Sequence, residues 1–222
     1  MNRMRLLVGG PMSEWPDDLK NGLLDGPWAA ADRGSLRLLH LGQVPVLTVG
    51  DFDSVTFEER QEIVGQLPKI VSVKPEKDDT DTELLLSLVE KNYHPDKIEI
   101  YGATGGRIDQ LLSNIWIFTQ PRFTSIVEKV AIIDRNNRID FFLPGEHTII
   151  KEPTMKYLGF MPLIPVSGLS LLDEKYRLDD WSGNPFSFSS NEFLGEVNHF
   201  SFKSGIVAVI QSRDLIGQTA DQ

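Results

Sequence analysis

Apolar and polar positions along this chain change rhythm near its middle. Up to about residue 120, short unbroken apolar runs alternate with longer stretches whose apolar residues recur every three or four positions. The short runs, at 4–8, 28–31, 44–49, 69–73 and 97–101, predict buried strands. The longer ones, at 35–41, 56–67, 81–92 and 108–118, predict amphipathic helices; Leu84, Leu85, Leu88 and Val89 line one face of the third. Thr80 or Asp81 suits its N-cap, and Glu58 and Glu59 suit the positive end of the helix before it. Strands alternating with helices imply a largely parallel sheet covered on both faces.

Beyond Pro121 the apolar runs shorten and are cut by Pro, Gly, Asn and Asp. Runs at 130–135, 138–143, 147–151, 157–165, 168–172 and 205–212 predict strands, and no helix of convincing length appears after Pro121. This half reads as an antiparallel sandwich or barrel, and the sandwich is the expectation carried forward. The predicted fold is therefore α/β: an N-terminal three-layer α/β/α domain with a mostly parallel sheet over residues 1–140, followed by a C-terminal antiparallel β-sandwich domain over 141–222.

The strand ends carry the chemistry. The run 44–49 leads into Gly50-Asp51-Phe52-Asp53-Ser54. On extended backbone, Asp51 and Asp53 point to one face. Two carboxylates about 4 Å apart repel by roughly 4 kcal/mol at an effective dielectric near 20, so they need open water, a shared proton or a cation. A solvated turn is the plain alternative, since Gly, Asp and Ser are turn residues. Lys77-Asp78-Asp79-Thr80-Asp81 is a second acidic cluster, readable also as a solvated helix start. Gly102-Ala103-Thr104-Gly105-Gly106-Arg107-Ile108-Asp109-Gln110 opens the last helix. All three fall at the C-terminal ends of predicted strands, the edge where open α/β sheets bind ligands. The glycine turn after the first strand, Gly9-Gly10-Pro11, is either a nucleotide contact or a simple strand-to-helix turn.

Composition narrows the classes. The 222 residues carry 22 basic and 32 acidic side chains, a net charge of −10 that argues against a nucleic-acid binder held by phosphate contacts. With no cysteine, disulfides and thiolate metal sites are excluded. No apolar run approaches 18 residues and no signal-peptide pattern opens the chain, so no membrane partner and a cytoplasmic location are expected. His40, His94, His147 and His199 lack metal-ligand spacing and read as structural, and no serine has the company of a triad.

The motifs Gly-Asp-Phe-Asp-Ser (50–54), Asp-Asp-Thr-Asp (78–81) and Gly-Gly-Arg-Ile-Asp-Gln (105–110), in that order, resemble those of the thiamine pyrophosphokinase family. Ala31-Asp32-Arg33-Gly34 and Ser190-Asn191-Glu192-Phe193 are similar to two further family elements. The resemblance implies transfer of diphosphate from ATP to thiamine, giving thiamine diphosphate and AMP, with Mg²⁺ as cofactor and a homodimer as the assembly. It implies Asp51, Asp53, Asp78 and Asp81 as metal ligands, directly or through water. Arg107 and Asp109 join them as catalytic residues. For the nucleotide it implies Asp32, Lys77, Thr80, Gly105, Gly106 and Arg107. For thiamine it implies Gln110, where many bacterial members have His, with Tyr176, Ser190 and Asn191.

Residue chemistry fits these roles while leaving rivals open. Arg107 has a planar fork for two phosphate oxygens, or for Asp109 two residues on. Gly105 and Gly106 let backbone N–H groups reach phosphates at a helix N-terminus. Lys77 is a second phosphate cation or a surface lysine, and Tyr176 a stacking face or a rim tyrosine. Another primary alcohol or a pterin-like compound as acceptor, and a non-catalytic nucleotide or thiamine binder, are the competing functions.

Overall fold

Residues 2–50, 56–72 and 79–214 are described by a computed structural model, in which the chain divides into two compact units. One comprises Met1–Ile117 with Lys129–Arg135, the other Phe118–Glu128 with Asn136–Gln222. Asp51, Asp53, Lys77 and Asp78 lie outside the described residues.

The first unit contains β1 (Arg3–Leu7), β2 (Trp28–Ala31), β3 (Leu47–Gly50), β4 (Ile70–Ser72), β5 (Lys97–Tyr101) and β6 (Val130–Ile133). They are parallel, in the order β6-β5-β1-β2-β3-β4. Strands covered on both faces need unbroken apolar sequence, and every residue of β2 and β3 is buried. The helices are α1 (Asp17–Lys20), α2 (Arg33–His40), α3 (Phe57–Gln66), α4 (Asp81–Tyr93) and α5 (Ile108–Trp116). Leu7, Trp15, Trp28, Leu38 and Tyr101 form a core under β1 and β2, with the Trp28 and Tyr101 rings 5.7 Å apart.

The strand order places the site. From β1 the chain adds β2, β3 and β4 in one direction, then returns to lay β5 and β6 on the other side of β1. The order reverses between β1 and β5, so the loops leaving their C-terminal ends part around a crevice.

Two helix starts beside the acidic clusters are locked by reciprocal caps. At α4 the Thr80 hydroxyl accepts from the Glu83 N–H at 3.2 Å, while the Glu83 carboxylate accepts from the Thr80 N–H at 2.7 Å. Thr56 and Glu59 exchange the same two bonds before α3, at 3.2 and 2.8 Å. The Thr56 N–H, helped by Arg33, holds the Glu59 carboxyl below its ordinary range, so Glu59 serves the helix end as expected.

The second unit holds two antiparallel sheets. One is ordered β12-β9-β14-β7 and the other β11-β10-β13-β8. Their strands are β7 (Asn137–Phe142), β8 (Gly145–Ile150), β9 (Tyr157–Pro162), β10 (Val166–Leu171), β11 (Leu178–Gly183), β12 (Phe188–Glu192), β13 (Val197–Phe202) and β14 (Val207–Ser212). Their apolar faces meet in one core, with Leu158, Phe160 and Val209 from the first sheet and Leu169, Phe200 and Phe202 from the second. Phe160 and Phe200 pack edge to face at 5.2 Å.

Three strands, β11, β12 and β13, were not among those the sequence predicts. β11 and β12 are edges, carry Asp179, Asp180, Ser189 and Ser190, and bury only Asn191 between them, so neither shows an apolar run. β13 alternates strictly from Asn198 to Phe202, but its first buried position is an asparagine. The absence of a helix after Pro121 is also corrected: Pro121–Lys129 is a 3₁₀ stretch that buries Phe123, Ile126 and Val127. A proline at its first position suits a helical start, because its missing N–H would have had no partner there.

Candidate functional site

A cleft of about 530 Å³ opens at the reversal point of the first unit. Its floor is the glycine turn after β1 and the loop after β5. The Gly10 N–H donates to the Gly102 carbonyl at 2.7 Å, and the Val8 N–H to the Tyr101 carbonyl at 3.0 Å. Arg37 donates to the Gly9 and Gly10 carbonyls at 3.2 and 2.7 Å, which fixes the turn from α2. Two buried bonds hold the second loop from beneath: Thr104 donates to Asp134 at 2.8 Å, and Asn114 to the Ala103 carbonyl at 3.0 Å. Gly105 and Gly106 have φ of +75° and +66°, conformations open to glycine at little cost. A Cβ on Gly105 would also meet the Glu14 side chain at 2.6 Å.

Carboxylates line the walls. Asp79 and Asp81 flank the Thr80 cap, and all three reach the cleft although the Thr80 hydroxyl is committed to Glu83. Asp32 enters from the opposite side on a one-residue elbow between β2 and α2, with φ of +47° and its N–H bonded to the Val49 carbonyl at 2.9 Å. Such a conformation costs a non-glycine residue about 1–3 kcal/mol, and strain of this size collects at functional sites. Gly50, which precedes Asp51 in the chain, lies against that carboxylate; a Cβ there would sit 2.3 Å from Asp32 Oδ1. Arg107 and Gln110 complete the rim.

Asp32, Thr80, Asp81, Gly105, Gly106, Arg107 and Gln110 are thus brought together, and Asp79 is a wall residue that the sequence reading did not assign. Its place one residue before the cap of α4 was the available signal. Asp109 does not line the cleft. Its carboxylate forks onto Arg107, with Nε to Oδ1 at 3.1 Å and a second bond from Nη2 to Oδ2, and both side chains are exposed. The Arg107 guanidinium holds the Asp109 carboxyl below its usual range. Solvent screens an exposed pair of this kind, so it holds Arg107 only weakly. Arg107 stands at the N-cap of α5 and makes no side-chain cap bond there. Among the described residues no three acidic or histidine side chains converge as a metal site by themselves.

In the second unit, Tyr176, Asn191 and Ser189 line a hollow of about 140 Å³ between β10, β11 and β12. Ser190 opens instead into another of about 360 Å³, with Tyr157, Ser212 and Asp214. The pairing of β12 with β9 shifts register between Phe188 and Asn191, and Ser190 has φ of +60°. This bulge turns the two neighbours to different hollows.

The segment leading to Tyr176 contains a fully buried carboxyl. Glu174 has no solvent exposure, and neither carboxyl oxygen has a hydrogen-bond partner of good geometry among the described residues. Burial pushes it up to about 7; the charge of Asp173 adds to the rise, while nearby N–H groups and His199 oppose it. The folded state therefore keeps a proton that the unfolded chain loses above its ordinary value of 4.5, and stability falls as pH climbs from there through 7. The loss amounts to roughly 3 kcal/mol at most. Glu174→Gln should remove this slope. Melting curves are expected to show the variant gaining on wild type by several degrees between pH 5 and pH 8; parallel curves would contradict the assignment.

Comparison with known proteins adds an independent line. Residues 26–129 match the family model for the thiamin pyrophosphokinase catalytic domain, and residues 146–207 that for the thiamin pyrophosphokinase vitamin B1 binding domain. The chain is 37% identical to a thiamine pyrophosphokinase of Bacillus subtilis over 221 residues, covering 96% of this chain and all of that protein. Among solved structures, a protein from Lactobacillus plantarum superposes with a TM-score of 0.89 at 46% identity, covering 97% of this chain and all of the other. A thiamin pyrophosphokinase family protein from Enterococcus faecalis gives 0.90 at 39%, covering 96% and 100%.

Proposed function

The chain belongs to the thiamine pyrophosphokinase family, and on that footing we propose that it transfers diphosphate from ATP to the hydroxyethyl oxygen of thiamine, releasing AMP. The observation that carries this reading is the cleft at the strand reversal, where carboxylates face a glycine loop, an arginine and the start of a helix.

In this reading the N–H groups beyond Gly105 and Gly106, with Arg107, bond the phosphate oxygens. Lys77 adds a second cation, Thr80 flanks the phosphates, and Asp32 takes a ribose hydroxyl. Asp51, Asp53, Asp78 and Asp81 hold Mg²⁺, directly or through water. The described walls fit such an ion, since they offer oxygen donors alone and Mg²⁺ takes one or two carboxylates together with phosphates and waters. Bound there, it would supply the positive charge that the polyphosphate needs as AMP departs in line. Asp109, released from Arg107 when phosphate arrives, orients the attacking hydroxyl. In the second unit, the exposed Tyr176 offers the acceptor an aromatic face, over which a cationic ring gains about 0.5–2 kcal/mol.

We propose a cytoplasmic homodimer as the working form. The exposed stripe Ile108, Leu112 and Trp116, spaced by four along α5, offers apolar surface to a second copy. Among the described residues no helix is long and apolar enough to cross a membrane.

Chromatography of a reaction containing protein, ATP, Mg²⁺ and thiamine tests the reading. AMP and thiamine diphosphate are expected in equal amounts. ADP as the product, or AMP formed only with a different alcohol, would overturn it.

A further inference from the structure

Asn191 is 3% exposed, and its amide bonds the backbone of Tyr176 at two points. Its Oδ1 accepts from the Tyr176 N–H at 2.8 Å, and its Nδ2 donates to the Tyr176 carbonyl at 2.8 Å. Oδ1 also accepts from the Glu192 N–H at 3.0 Å. Both acceptor positions of the oxygen are therefore filled, and a buried amide has none left for a ligand donor. A two-point bond of this kind grips the N–H and C=O of one residue, in two successive peptide units, much as an antiparallel strand partner would.

The segment is tied at its other end too. Asp173 accepts from the His199 N–H at 2.8 Å and from Asn198 Nδ2 at 3.2 Å, and its second oxygen meets His199 Nδ1 at 2.7 Å. Between these ties, Lys175 bonds Glu192 at 2.7 Å. The backbone is held by β12 and β13, yet Tyr176 is 59% exposed, with Lys175 Nζ over its ring at 5.5 Å from the centroid. An exposed aromatic ring on a pinned backbone has lost part of the freedom that stacking a ligand would otherwise cost, and a cationic ligand would take the place of the Lys175 ammonium.

We infer that Asn191 acts through Tyr176: it is a positioning residue that presents the ring to a flat, cationic acceptor, and it does not itself touch that acceptor. This rests on the function proposed above. Asn191→Ala frees the Tyr176 peptide, and the ring then pays an ordering cost on binding.

A double-mutant cycle on the full chain tests it, with Asn191→Ala, Tyr176→Ala and both together. The readouts are KM for thiamine, KM for ATP and the melting temperature. Each single change is expected to raise the thiamine KM about tenfold, the size of one stacking contact, with the ATP KM within about twofold. The double variant should be no worse than Tyr176→Ala, because nothing remains to be positioned. Multiplying effects would mean that Asn191 meets the acceptor itself, and a matching rise in the ATP KM would mean a merely structural role; either overturns the inference. If Asn191→Ala does not fold, Asn191→Asp takes its place in the cycle, keeping both acceptor bonds and losing the donor to Tyr176. Wild type that forms no AMP with thiamine defeats the proposed function, whereas AMP formation with an additive cycle defeats only this inference.

Discussion

Asp81→Asn is expected to cut turnover with ATP and thiamine on the order of 100-fold or more while leaving the protein folded. The substitution keeps size and shape but removes one negative charge from the cleft wall, at the first position of α4. Groups aimed at charge in the transition state commonly contribute about 10²–10³-fold. The structural cost is small, because the helix start is held by Thr80 and Glu83, and an acid near a helix N-terminus contributes only about 0.3–1 kcal/mol. Steady-state AMP formation and a melting curve on the same preparation separate the two effects. Turnover near wild type would remove Asp81 from the chemistry.

Gly10→Ala should destabilise the first unit by about 3 kcal/mol or more and abolish nucleotide binding, whereas Gly9→Ala should melt within about 2 °C of wild type. A Cβ on Gly10 would lie 2.2 Å from the Gly102 carbonyl oxygen and 2.9 Å from that of Thr104, both backbone atoms. Gly102 has φ of +71° and the loop beyond it is anchored by Asn114 and Asp134, so the obstruction cannot swing aside. At Gly9 a Cβ would meet nothing within 4 Å. The contrast between adjacent glycines isolates the close approach of the β1 and β5 loops from any general sensitivity of the turn. Equal melting temperatures for the two variants would refute it.

Local patterning carried much of this architecture. Buried parallel strands such as Lys97–Tyr101 announce themselves as apolar runs, and Asp79 and Asp81 sit where a capped helix begins. Edge strands β11 and β12 were illegible because they bury little, and β13 because Asn198 occupies a core position while donating to Asp173. At the site, motif order pointed to Asp32, Asp81 and Arg107, which the strand reversal gathers in one cleft. The fork between Arg107 and Asp109 was one of the two readings that their spacing allowed, whereas two features depended on geometry that no local pattern encodes: the bulge that parts Ser190 from Asn191, and the grip of Asn191 on Tyr176. Each arises from residues brought near by a turn or a sheet partner.

The most direct test of the nucleotide site is a crystal structure of the full chain with Mg²⁺, thiamine and an ATP analogue that resists cleavage between its α- and β-phosphates. The β- and γ-phosphates are expected against the N–H groups after Gly106 and the Arg107 guanidinium, with the metal bridging them to Asp81. Phosphates bound away from the loop between Gly102 and Arg107, or a metal held without any of Asp51, Asp53, Asp78 and Asp81, would contradict it.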